Sequence, residues 1–122
     1  MAKTVMVVDD SGSVRQVVGI LLRAAGYEVI EAADGEDALR KLDGRKVHLI
    51  ISDVNMPRLD GIALVQQVKA MPAYRFTPII MLTTETDTAK KQAGQAAGAK
   101  AWVVKPFQPP QLLAAVSKLI LP

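Results

Sequence analysis

The sequence predicts an α/β fold: a five-stranded parallel sheet covered by helices on both faces, in one domain spanning residues 1–122. Three observations predict it. Short runs of β-branched and aliphatic residues alternate with longer stretches whose apolar residues recur at helical spacing. The connections are short and rich in Gly, Pro and Asp. The apolar runs end at polar or charged residues, as strands buried on both faces do where they reach the crevice at their carboxyl ends.

In chain order, Thr4 to Val8 is a buried-strand run that stops at Asp9-Asp10. Ser11 is placed to cap a helix with Val14, Val17, Val18, Leu21, Leu22 and Ala25 on one face, closed by Gly26. Glu28 to Ala32 is a second strand, and Asp34-Gly35 opens a helix carrying Ala38, Leu39 and Leu42 that ends at Asp43-Gly44. The third strand is the apolar run Val47 to Ile51, leading to Asp53 and then to a turn around Met56-Pro57 and Asp60-Gly61. Gly61 begins a helix that turns Ile62, Val65, Val68 and Met71 inward and stops before Pro72. Pro78 introduces a fourth strand, Ile79 to Leu82, which runs into Thr83-Thr84-Glu85. The helix after it, Thr88 to Ala97, offers only alanines and Gly94 as an apolar face, so it should be held less tightly than the others. Ala101 to Val104 is a short fifth strand that meets Lys105-Pro106. The last helix starts near Pro109-Pro110 and turns Leu112, Leu113, Val116, Leu119 and Ile120 inward.

Composition narrows the chemistry. With 122 residues the chain can bury a core without disulfide or metal support. The absence of cysteine removes thiol catalysis and thiolate metal sites. No apolar run approaches the ~18 residues a membrane span needs, and Val5 to Val8 is too short for a signal-peptide core. A soluble cytoplasmic protein with no membrane partner is expected. A net charge of +3 is too small to argue for nucleic acid. After Asp87 there is no acidic residue, while Lys90, Lys91 and Lys100 follow. These lysines read either as a solvated face or as a basic docking face for an acidic partner.

Aligning the strand ends brings the candidate site together. The first strand contributes Asp9 and Asp10, the third Asp53, the fourth Thr83 and the fifth Lys105. In a parallel sheet these ends share one edge. Taken singly, Asp9 could be a cap, Thr83 a strand residue and Lys105 an ion-pair partner. Convergence from four segments is hard to obtain from packing alone. Three carboxylates in one place repel unless a cation joins them, and such hard oxygen ligands suit Mg²⁺. A carboxylate beside Mg²⁺, an ammonium and a hydroxyl can accept a phosphoryl group. Asp53 would attack, Lys105 would take up charge with the metal, and Thr83 would bind a phosphoryl oxygen.

The motifs Val8-Asp9-Asp10-Ser11, Asp53-Val54-Asn55-Met56-Pro57 with Asp60-Gly61, Thr83-Thr84 and Lys105-Pro106-Phe107 resemble those of receiver domains of two-component signalling over nearly the whole chain. In pattern the chain is similar to the single-domain chemotaxis regulators of the CheY type. The resemblance implies a flavodoxin-like doubly wound sheet of order 2-1-3-4-5. It implies that Asp53 is the phosphoacceptor, that Asp10, Asp53 and the Asn55 carbonyl bind the metal, and that Asp9 does so mostly through water. It also implies a cis Lys105-Pro106 bond. Trp102 stands where the family usually has tyrosine or phenylalanine, three residues before the lysine. It reads as a switch aromatic without the hydroxyl contact, or as a cap on the core edge. Thr84 stands where the family prefers a small residue, and should still leave the pocket open to a donor.

Asn55 and Glu85 flank the path of a water to the acyl phosphate, and the same pair of residue types occurs in the fast-cycling chemotaxis regulators the chain resembles, a resemblance that implies decay within seconds to minutes. His48, at the far end of the third strand, reads as a surface residue, so the donor histidine belongs to another protein. The implied function is a switch rather than an enzyme, monomeric, phosphorylated by a histidine kinase. The face of the fourth helix, fifth strand and last helix would bind a downstream protein, for which the resemblance suggests the flagellar motor switch. A phosphate sink and control of a non-flagellar target are the alternatives within this reading. A Mg²⁺-dependent aspartyl-phosphate phosphatase is disfavoured because Asn55 occupies the position of its second aspartate. A flavodoxin-like nucleotide binder is disfavoured because Asp9-Asp10 would repel a phosphate.

Overall fold

The computed structural model describes residues 2–84 and 88–121. Among these, strands and helices alternate from end to end. In order they are β1 (Thr4–Val8), α1 (Gly12–Ala24), β2 (Glu28–Ala32), α2 (Gly35–Lys41), β3 (Leu49–Asp53), α3 (Gly61–Ala70), β4 (Ile79–Thr83), α4 (Thr88–Ala97), β5 (Ala101–Val104) and α5 (Pro109–Leu119). The strands form one parallel sheet in the order β2-β1-β3-β4-β5. This is the doubly wound, flavodoxin-like arrangement that the resemblance implied.

The alternation of side chains across the sheet explains why the strands read as unbroken apolar runs. Met6, Val8, Ile50, Ile79 and Met81 face one layer, against Ala38 of α2 and Leu64, Val65 and Val68 of α3. Val5, Val7, Leu49, Ile51, Ile80, Leu82 and Val103 face the other, against Val18 and Leu22 of α1 and Leu112 and Val116 of α5. Capping fixes where the helices begin. Ser11 Oγ accepts from the Val14 N–H, Asp34 Oδ1 from Asp37 and Asp60 Oδ1 from Ala63. Gly26 closes α1 at φ +94°, a conformation that favours glycine.

Several details differ from the expectation. The third strand pairs from Leu49 rather than Val47, in register Val5↔Leu49, and it includes Asp53 as its last residue. His48 just before it is engaged otherwise: its N–H donates to the Thr4 carbonyl (2.8 Å), and its Nδ1 accepts from the Thr4 N–H (3.0 Å). On α1, Val17 is 53% exposed rather than inward, because Val18 and Leu22 already fill the sheet contact. On α3, Leu64 is fully buried, whereas Ile62 and Met71 only flank the core.

Candidate functional site at the carboxyl edge of the sheet

The register brings the expected side chains to one edge. Asp53 pairs with Leu82 across β3 and β4, and Thr83 pairs with Val104 across β4 and β5. Asp9 immediately follows β1, its N–H donating to the Ala32 carbonyl of β2 at 3.1 Å. Beyond Asp53 the chain is pinned by α3. The Gly61 N–H donates to the Val54 carbonyl (2.9 Å), and a Cβ on Gly61 would lie 2.1 Å from the Asp53 carbonyl oxygen. Only glycine lets the start of α3 sit this close to the backbone of Asp53. Ser52 Oγ donates to that same carbonyl at 2.9 Å.

Asp9 is 1% and Asp53 8% exposed, while Asp10 faces solvent. One carboxylate oxygen from each of Asp9, Asp10 and Asp53 falls within a set whose members all lie within 4.8 Å of one another. Lys105 Nζ donates to Asp9 Oδ2 at 3.1 Å and stands 3.8 Å from Asp53 Oδ2. Its tighter partner is therefore Asp9, which also accepts the Ser11 N–H on Oδ1 at 2.9 Å. Burial, and then the charge of Asp9, push the Asp53 carboxyl above its ordinary range; Lys105 and the Val54 and Asn55 N–H groups pull it back. One ammonium therefore does not fully compensate the acids. Hard anionic oxygens, partly buried and open to water at Asp10, fit a small divalent ion that keeps some of its waters.

Around this centre, Thr83 ends β4 with 0% exposure, and its carbonyl accepts the Lys105 N–H at 2.7 Å. The Lys105–Pro106 bond is cis. Asn55 lies exposed at the mouth, and its Oδ1 accepts from Lys90 Nζ of α4 at 3.0 Å. Lys91 and Lys100 face solvent. Trp102 is half-buried on β5 beneath α4, where a Cβ on Gly94 would sit 3.0 Å from its Cζ3. Thr84 is exposed and lines, with Lys105, Val14, Val17 and Phe107, a groove of about 560 Å³ between α1 and the segment after β5. Glu85 lies outside the described residues.

Sequence reasoning missed two contributors. Arg15 Nη1 donates to the Asp9 carbonyl at 2.6 Å and its Nε pairs with Glu31 at 3.3 Å, bracing the first acidic loop. Its place in the first turn of the helix that follows Asp9-Asp10 was the available signal. The contact of Lys90 with Asn55 had no signal, because it depends on how α4 lies across the sheet.

The comparisons agree with this geometry. A family model described as the response regulator receiver domain matches residues 5–117. The structure of Vibrio cholerae chemotaxis protein CheY4 is 50% identical, with a TM-score of 0.93, covering 98% of this chain and 99% of that one. The receiver domain of the sensor histidine kinase PA1611 of Pseudomonas aeruginosa, with magnesium coordinated in its active-site cleft, is 27% identical at a TM-score of 0.89, covering 98% of both chains. The alkaline phosphatase synthesis transcriptional regulatory protein PhoP of Bacillus subtilis is 38% identical over 98% of this chain and 49% of its own length. The chain thus spans about half the length of several curated relatives it matches.

Proposed function

Because the chain belongs to the response regulator receiver domain family of two-component signalling, we propose that it is a phosphorylation switch in which Asp53 takes a phosphoryl group from the phosphohistidine of a histidine kinase. The observation that carries the reading is the set of Asp9, Asp10 and Asp53 oxygens within 4.8 Å, with Lys105 against two of them. An Asp53 oxygen forms a bond to phosphorus, while the bond from phosphorus to the donor imidazole breaks with its electron pair. Asp53 must be ionised for this, and Lys105 favours that state. Lys105 and the Thr83 hydroxyl would then hold phosphoryl oxygens. Asp10, Asp53 and the Asn55 carbonyl would hold Mg²⁺, with Asp9 mostly through water, and the ion would neutralise charge on the transferring group.

The chain would catalyse only its own phosphorylation and dephosphorylation, as a cytoplasmic monomer that binds neither nucleic acid nor membrane. Among the described residues no helix is long and apolar enough to cross a membrane. Similarity to CheY4 at 50% identity over nearly the full length of both chains favours an output in chemotaxis, and a flagellar motor component is the partner proposed from the motif resemblance alone. The partner would dock on α4, β5 and α5, a face with the exposed Lys91 on α4, the exposed Lys100 in the connection to β5 and a 42%-exposed Val104 on β5. Relatives about twice as long and named transcriptional regulators favour a second reading, a receiver serving a non-flagellar target.

The test is incubation with a small phosphodonor, with Mg²⁺ or with chelator, followed by intact mass. Wild type should gain one phosphoryl group only with the metal, and Asp53→Asn should gain none. Equal labelling of the variant would refute the assignment.

A further inference from the structure

Lys90 stands apart from the other lysines of its region. It is half-buried, and its ammonium donates to Asn55 Oδ1 at 3.0 Å, whereas Lys91 and Lys100 face solvent. The helix carries it there. Gly94, one turn later on the same stripe, is buried against Trp102 and Met81, and Ala97 packs on the core, so the stripe holding Lys90 is the inward face of α4. Asn55 follows Asp53 by two residues and lies at the open mouth of the acidic site.

We infer that Lys90 is a positioning residue for the phosphorylation site, one that sets the lifetime of the phosphorylated state by occupying the amide oxygen of Asn55. The inference rests on the phosphoacceptor reading of Asp53. In hydrolysis a water oxygen bonds to phosphorus, and the bond from phosphorus to the Asp53 oxygen breaks with its electron pair. The carboxylate is restored, and the proton of the water leaves to solvent with inorganic phosphate. A water lined up for this attack needs an acceptor for one of its protons near the mouth, and Asn55 Oδ1 is a neutral acceptor there among the described residues. While the ammonium of Lys90 holds that oxygen, its capacity to order the water is reduced. The bond also ties the start of α4 to the loop after β3.

The experiment measures decay of the phosphoprotein after removal of the phosphodonor, in wild type, Lys90→Met, Lys90→Arg, Asn55→Ala and the Asn55→Ala/Lys90→Met double variant. Losing one hydrogen bond to the amide should shorten the Lys90→Met lifetime by roughly two- to tenfold. Lys90→Arg, which keeps a charged donor, should stay near wild type. In the Asn55→Ala background the Lys90→Met change should have no further effect, an outcome that general loosening of α4 would not produce. An unchanged or longer lifetime in Lys90→Met overturns the inference, as does a full effect of that change without Asn55. A wild type that takes no label at all removes the phosphoacceptor reading and this inference together.

Discussion

Asp53 keeps its carboxylate where water scarcely reaches, with Asp9 beside it and Lys105 nearer to Asp9 than to itself. A buried acid under these conditions resists ionisation, which is why its carboxyl is pushed upward and why a cation is needed nearby. The opposite end of β3 shows titration of another kind. Burial, then the charges of Lys46 and Lys3, hold the His48 imidazole below its ordinary range, and its Nδ1 can accept the Thr4 N–H only while unprotonated. The unfolded chain takes up a proton as pH falls past about 6.5, whereas the folded chain resists, so the stability contributed by neutral His48 is present above that pH and is lost below it. Thermal midpoints of wild type should therefore drop more between pH 7.5 and pH 5 than those of His48→Gln. Parallel profiles would contradict this account of His48. The sequence placed His48 at the remote end of the strand, but its tie to Thr4 follows from the β1–β3 register and had no local signal.

Among the helices, α4 is the one whose packing is least aliphatic. Its inward face is Lys90, Gly94 and Ala97, and the bulk that a larger side chain would supply comes instead from Trp102 below it. Changing Gly94 to Ala should add about 1 kcal/mol of helix propensity. The new methyl would press on the indole at 3.0 Å, and such overpacking costs about 1–3 kcal/mol. A net loss of stability is expected, read as a lower denaturant midpoint, with a shifted Trp102 emission. In a Trp102→Phe background the same substitution should stabilise. A gain in stability with unchanged emission in the wild-type background would show that α4 does not rest on the indole. The alanine-rich composition announced a weakly anchored helix. It did not announce that the glycine answers the tryptophan, since complementarity across elements is invisible to periodicity within one. The same limit explains Val17: helical spacing placed it inward, but α1 meets the sheet through Val18 and Leu22, leaving Val17 on the groove beside Lys105.

Across the whole molecule, one topological fact assembles the site. Parallel strands send all their carboxyl ends to one edge, so Asp9, Asp10, Asp53, Thr83 and Lys105 meet although they span most of the chain. This convergence was legible because each strand ends at a chemically distinctive residue, and strand ends are where hydrophobic runs stop. What the runs could not convey is which acid Lys105 prefers, or that Arg15 braces the loop of Asp9; both depend on side-chain reach after folding. The proposed switch depends on Asp53 as the residue that carries the phosphoryl group. Treatment with a small phosphodonor and Mg²⁺, reduction of acyl phosphates with borohydride and peptide mapping would locate that group directly. Asp53 alone should be converted to homoserine, and none of it when chelator replaces the metal; conversion at another carboxylate, or a phosphoryl group recovered on His48, would overturn the assignment.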